Sequence, residues 1–154
     1  MFASRVAQLA LLHKAPLQCM RLEITESSPM DDADGALPVL NALREMGVHL
    51  SINDLGTGYL SLADLKKLTV DELKIDRSFV ARADLDPDAQ ALLRTIVDLG
   101  HNLNMQVTAE GIEREPERDL LKALGCDQAQ GYLYLIARPM ALADAKAYVA
   151  ALPT

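Results

Sequence analysis

Short apolar segments alternate along this chain with longer stretches of helical periodicity, and that alternation restricts the folds open to it. Residues 19–24, 48–52, 72–75, 105–109 and 131–136 have the length and composition of strands. Between them, residues 32–46 place Ala36, Leu37, Leu40, Leu43 and Met46 on one helical face, and Gly47 follows as a stop. Residues 88–102 do the same with Leu92, Leu93, Ile96, Val97 and Leu99. Residues 115–124 are closed by Gly125, residues 142–151 by Pro153, and residues 2–13 read as an opening helix. Strand–helix alternation predicts a parallel sheet with right-handed crossovers.

Two α/β architectures share this pattern, the doubly wound sheet and the (β/α)8 TIM barrel. No Gly-x-Gly-x-x-Gly follows the first strand, which disfavours a dinucleotide-binding sheet. Charged residues instead sit within or just beyond the strands, where a barrel builds its active site. A full barrel needs about 250 residues. The 154 residues here account for about five strands, so the expectation is one domain over 1–154 that forms an incomplete barrel, with the missing part on the N-terminal side.

A charge inside an apolar strand is costly unless it is paired or holds a metal. Glu23 lies between Leu22 and Ile24 and points to the opposite face from both, with Glu26 just beyond. Asn53 and Asp54 end the next strand before a glycine-containing turn, and two adjacent oxygen donors suit a hard cation. Lys74 and Asp76 flank Ile75 on a shared face; Lys74 pairs with Asp76 or orients a water or phosphate oxygen. Glu110 ends the fourth strand as a candidate general base, with Glu113 as a loop anchor. Gln130 and Arg138 complete the set, the arginine suiting a phosphate or a guanine edge.

Taken in order, LEITES (22–27), NDLGTGY (53–59), LKIDRSFV (73–80), TAEGIE (108–113) and GCDQAQGY (125–132) resemble the C-terminal part of the EAL domain, the bacterial cyclic di-GMP phosphodiesterase module. The resemblance covers residues 2–140 and implies a modified (β/α)8 barrel that hydrolyses cyclic di-GMP with Mg2+ or Mn2+. It implies metal ligation by Glu23, Asn53 and Asp54, with Glu26 holding the loop that starts at Asn53. It makes Lys74 the residue that orients the attacking water and Glu110 the general base. Asp76, Glu113 and Gln130 match further site positions. Three departures count against activity. The opening strands with the Glu-Ala-Leu signature are absent from the sequence. Asn53 stands where the family has a metal-bridging aspartate, and its one neutral carbonyl oxygen cannot bridge two cations. The spacing from Tyr132 to Arg138 is longer than the family's. The expectation is a degenerate domain in which metal binding is impaired and cyclic di-GMP binds weakly or not at all.

A net charge of −7 and a pI near 4.9 argue against a DNA or RNA polymer as partner. No apolar run reaches the roughly 20 residues of a membrane span, and no signal-peptide pattern is present. Cys19 and Cys126 lack metal-ligand spacing and read as small buried residues of a cytoplasmic protein. An unclosed barrel leaves strand edges near Leu22 and Leu133. That predicts a homo-oligomer, most simply a twofold dimer, with residues 2–13 exchanged between copies or, in a monomer, folded back as a plug.

Overall fold

The computed structural model describes residues 2–25, 33–53 and 62–134. Its centre is a parallel sheet of β1 (Arg21–Thr25), β2 (His49–Asn53), β3 (Glu72–Ile75), β4 (Gln106–Ala109) and β5 (Gln128–Ala129). The strands lie side by side in the order of the chain. Right-handed crossovers in an unreversed order place every connecting helix on one side of the sheet. A doubly wound sheet reverses its order and covers both faces. The topology therefore decides in favour of the barrel-type winding.

Among the described residues six helices accompany the sheet: α1 (Phe2–Leu12), α2 (Ala33–Glu45), α3 (Leu62–Lys67), α4 (Arg77–Val80), α5 (Pro87–Asn102) and α6 (Glu115–Leu124). α5 starts where the Asp86 carboxylate accepts from the Asp88 N–H at 3.0 Å, with Pro87 in the first turn. Its buried stripe of Leu93, Ile96, Val97 and Gly100 faces the sheet. Gly100 is required there: a Cβ would stand 2.4 Å from Val107 Cγ2. Leu50, Ile52, Leu73, Ile75, Val107 and Ala109 point to the same side and form the core with these helices.

The opposite face of the sheet is polar throughout. Alternation along the strands puts Arg21, Glu23 and Thr25 of β1 there, beside His49, Ser51 and Asn53 of β2. Glu72 and Lys74 of β3 continue the face, followed by Gln106 and Thr108 of β4 and Gln128 of β5. Ser51, Glu72, Lys74 and Thr108 are buried there despite their polarity. Glu72 is satisfied by the Thr108 hydroxyl and by Arg21 Nη1 at 3.1 Å.

Four expected strands agree with the structure to within a residue or two; the last does not. Pairing stops after Gln128–Ala129, and Tyr132–Tyr134 form a 3-10 turn instead. Gly131 explains the turn. Its neighbours bond tightly to the β4 exit, Ile112 N–H to Gln130 O at 3.1 Å and Leu133 N–H to Ile112 O at 3.0 Å. A Cβ on Gly131 would lie 2.2 Å from the Ile112 carbonyl oxygen, so the chain here crosses over Ile112 and cannot run on as a strand. Leu135, Ile136 and the expected helix over 142–151 lie outside the described residues.

The helix over 2–13 does not plug the polar face. α1 packs on α2 with Val6 and Ala10 buried. Cys19 is exposed rather than buried, because the 3-10 turn Leu17–Cys19 stands outside the sheet. Cys126 is partly buried, its thiol donates to Val107 O at 3.2 Å, and burial pushes its pKa up. Among the described residues no helix is long and apolar enough to cross a membrane.

Candidate functional site

Lys74 is the centre of the site. It lies on β3 with its side chain 8% exposed, and its ammonium bridges two carboxylates. One is Glu23 of β1, at 2.5 Å; the other is Glu110, just past β4. The lysine thus reaches across β2 to tie together strands that do not pair directly. Burial works to lower its pKa, but the bonds from Glu110 and Glu23 outweigh that and raise it. The ammonium stays charged, as a cation between two anions in a poorly hydrated place requires.

Asn53 ends β2 on the same polar face of the sheet. Its Oδ1 is buried and has no hydrogen-bond partner among the described residues, and neither has the buried Ser51 Oγ two residues earlier. Orphaned acceptors are costly, and they often mark a place where something else binds.

A second group of residues gathers beside the bridge rather than over it. A cavity of about 290 Å3 is lined by Arg77, Glu110, Gly111, Glu113, Gln130, Gly131 and Tyr132. Glu113 is fixed by Arg77 Nη2 at 2.9 Å, and the arginine stem lies over Gly111, whose φ is +71°. Gln130 is positioned through its backbone, its N–H donating to Ala109 O at 2.8 Å. Glu110 belongs to both groups and is the hinge between them.

The sequence-expected residues therefore divide. Glu23, Asn53, Lys74 and Glu110 come together on the polar face; Glu110, Glu113 and Gln130 come together in the cavity. Asp76 joins neither, and it does not pair with Lys74. It caps α4, its Oδ1 accepting from the Ser78 N–H at 2.9 Å, and that bond holds its pKa below the usual carboxylate range. Glu26, Asp54 and Arg138 lie outside the described residues. Sequence reasoning missed Glu72, whose alternation with Lys74 was the available signal. It also missed Glu117, which is 3% exposed and accepts from the backbone N–H groups of Arg82, Glu113 and Arg114. Glu117 thereby holds the loop after Glu110 in place. Arginine at the helix N-cap hid that role, because the usual signature puts serine or threonine there.

The Mg2+ or Mn2+ implied by the resemblance needs several anionic oxygens free to turn toward it. Among the described residues no three acidic, histidine or cysteine side chains are grouped to hold a metal. Among the described residues Glu23 and Glu110 are both engaged by Lys74, and Asn53 offers a single neutral amide oxygen. The described residues do not by themselves fit a divalent ion.

The sequence profile of the EAL domain matches residues 1–139. The chain belongs to the EAL domain family. It is 45% identical over 135 residues to the bifunctional diguanylate cyclase/cyclic di-GMP phosphodiesterase MucR of Pseudomonas aeruginosa, covering 88% of this chain and 19% of MucR. It is 39% identical over 132 residues to the cyclic di-GMP phosphodiesterase NbdA of the same organism, covering 86% of this chain and 17% of NbdA. The chain thus spans about a fifth of these curated relatives. Among solved structures, the MucR phosphodiesterase in complex with c-di-GMP superposes with a TM-score of 0.82 at 44% identity, over 90% of this chain and 56% of that one. The EAL domain of Mycobacterium smegmatis DcpA gives 0.89 at 36% identity, over 97% of this chain and 66% of that one. The five-stranded sheet is accordingly part of an EAL-type TIM barrel, and the polar face corresponds to the inside of that barrel.

Proposed function

We propose that residues 1–154 form a degenerate EAL domain that does not hydrolyse cyclic di-GMP by itself and acts through protein contacts in the cytoplasm. The observation that carries this reading is the Lys74 bridge on a face that also carries a neutral Asn53. Hydrolysis of a phosphodiester by a metal mechanism must generate hydroxide and offset phosphoryl charge. Here Glu23 and Glu110 are spent on an internal cation, and the position that should bridge two metals carries no charge. An acidic chain of net charge −7 then has little to attract a doubly anionic ligand. Cyclic di-GMP binding is expected to be weak, and Mg2+ or Mn2+ binding impaired.

A second reading has its own support. Glu23 of β1, Lys74 of β3, Glu110 just past β4 and Gln130 just past β5 gather beside an open cavity. Another chain could complete this site with the missing ligands and restore binding or metal-dependent hydrolysis of cyclic di-GMP. Within the described residues β1 pairs only with β2 and β5 only with β4, so two edges are available to such a chain. Assembly into homo-oligomers is part of both readings.

Hydrolysis of cyclic di-GMP to the linear dinucleotide, followed by chromatography with Mg2+ and with Mn2+, separates them. No turnover by the purified chain is expected, and Asn53→Asp alone should not restore it. Turnover at the rate of an active EAL phosphodiesterase, abolished by Glu23→Ala, would overturn the first reading.

A further inference from the structure

The wall of the cavity carries an ion pair that its own strength does not hold still. Arg77 Nη2 lies 2.9 Å from Glu113 Oε1, with the side chains 57% and 40% exposed. Exposed pairs contribute little and do not by themselves fix two long side chains. Residues that do not line the cavity provide firmer contacts behind this pair. Glu117 Oε1 accepts from the Arg82 N–H at 2.9 Å, and its Oε2 accepts from the N–H groups of Glu113 and Arg114, both at 3.1 Å. The Arg114 guanidinium also grips the Asp84 carboxylate with two bonds, at 2.9 and 3.0 Å. The segment leaving β3 and the segment leaving β4 are thus joined twice. Arg82 shows that the join imposes a conformation. Its φ is +59°, a left-handed value uncommon outside glycine, and its N–H is the one that Glu117 Oε1 accepts.

We propose that Glu117 is the positioning residue of this cavity: its buried carboxylate, and not the Arg77–Glu113 pair, determines where Arg77 and Glu113 stand. This role rests on the cavity belonging to the site described above, and it holds whether or not that site hydrolyses anything. Glu113 is reached directly through its N–H. Arg77 is reached through α4, a single turn that ends at the buried Val80, two residues before Arg82. The chemistry calls for a carboxylate. Three donors converge on two oxygens, one donor from the β3 exit and two from the β4 exit. A glutamine has one oxygen, so it can hold one exit but not both, and its NH2 would face an N–H at the other.

Amide hydrogen exchange and 1H–15N NMR of the full chain test this. Glu117→Gln should speed exchange about tenfold or more at Arg82 or at Glu113 and Arg114, and should shift the amide signals of Arg77 and Gln130 at the cavity. Glu113→Gln breaks the exposed pair and should leave exchange at Arg82 and Arg114 within about twofold. Val48→Ala, at a buried position just before β2, controls for a general loss of stability and should not single out these amides. Equal release of Arg82 and Arg114 by Glu113→Gln overturns the proposal, because the pair would then hold the loop itself. So does a Glu117→Gln variant that exchanges like the native chain, or whose changes match those of Val48→Ala. Should Glu117→Gln fail to fold, Arg114→Lys decides: it loses the two-point grip on Asp84 and should release the same amides by a smaller factor, and no release overturns the proposal. Turnover enters none of these readouts, so their outcome is separate from that of the hydrolysis assay.

Discussion

Replacing Lys74 with methionine removes the ammonium from between Glu23 and Glu110 while keeping the length of the apolar stem. The lysine side chain is 8% exposed, Glu110 23% and Glu23 47%. Taking one partner from a fully buried ion pair costs about 3–5 kcal/mol. Glu23 is half in water and can turn away, so we expect Lys74→Met to cost about 2 kcal/mol. For a domain of this size that is roughly 4–8 °C in Tm. Glu110→Gln in the Lys74→Met background removes the repulsion and should recover most of the loss. The same reasoning predicts a gain of function: with the lysine gone, two carboxylates and the Asn53 oxygen are free to meet a divalent ion. Mg2+ should raise the Tm of Lys74→Met and leave the native chain nearly unchanged. Differential scanning calorimetry with and without Mg2+ reads both effects. A Lys74→Met variant as stable as the native chain, or a native chain that Mg2+ stabilises equally, would refute the idea that the ammonium fills the place of a metal.

Three other outcomes follow from single interactions. Glu117→Ala leaves the N–H groups of Arg82, Glu113 and Arg114 without their buried acceptor, and should cost about 3 kcal/mol by urea denaturation. Gly131→Ala forces a Cβ into the Ile112 backbone and should destabilise the chain by about 2 kcal/mol while shifting the amide resonance of Gln130. Asp127 is held below the usual carboxylate range: burial opposes this, but the Val107 N–H at 2.7 Å and His101 prevail. Its folded pKa is lower than its unfolded one, so its contribution is present above the ordinary carboxylate range and lost as pH falls through the lowered value. Asp127→Asn should therefore flatten the acid side of the stability profile, read as urea midpoints across mildly to strongly acidic pH.

Strand placement was legible because two periods compete along this chain and each leaves its own pattern. β3 and α6 were placed at the residues where they occur, since Leu73-Lys74-Ile75 alternates and Leu120, Leu121 and Leu124 repeat at helical spacing. The last strand was misplaced for a physical reason. Leu133 and its neighbours have strand composition, but Gly131 must pass over Ile112, and that contact lies 19 residues away in sequence. Local pattern holds no information on such an approach. The site was legible where a charge interrupted an apolar run, as at Glu23, Lys74 and Glu110. It was less so for Asp76, whose sequence position is equally compatible with a site residue and with a helix cap. Glu72 and Glu117 are the opposite case: buried acids whose partners come from distant strands and loops.

The polar face sets a condition on anything that completes the fold. The side of the sheet toward the helices is held by apolar burial, but the other side presents Arg21, Glu23, His49, Asn53, Glu72 and Lys74. An apolar plug laid over these groups would desolvate them without offering partners, at a cost of several kcal/mol for each unpaired charge. Such a plug is unfavourable on chemistry alone, which is consistent with α1 lying against α2 and away from this face. Whatever closes the barrel must bring hydrogen-bonding groups of its own, including acceptors and donors matched to Ser51 and Asn53.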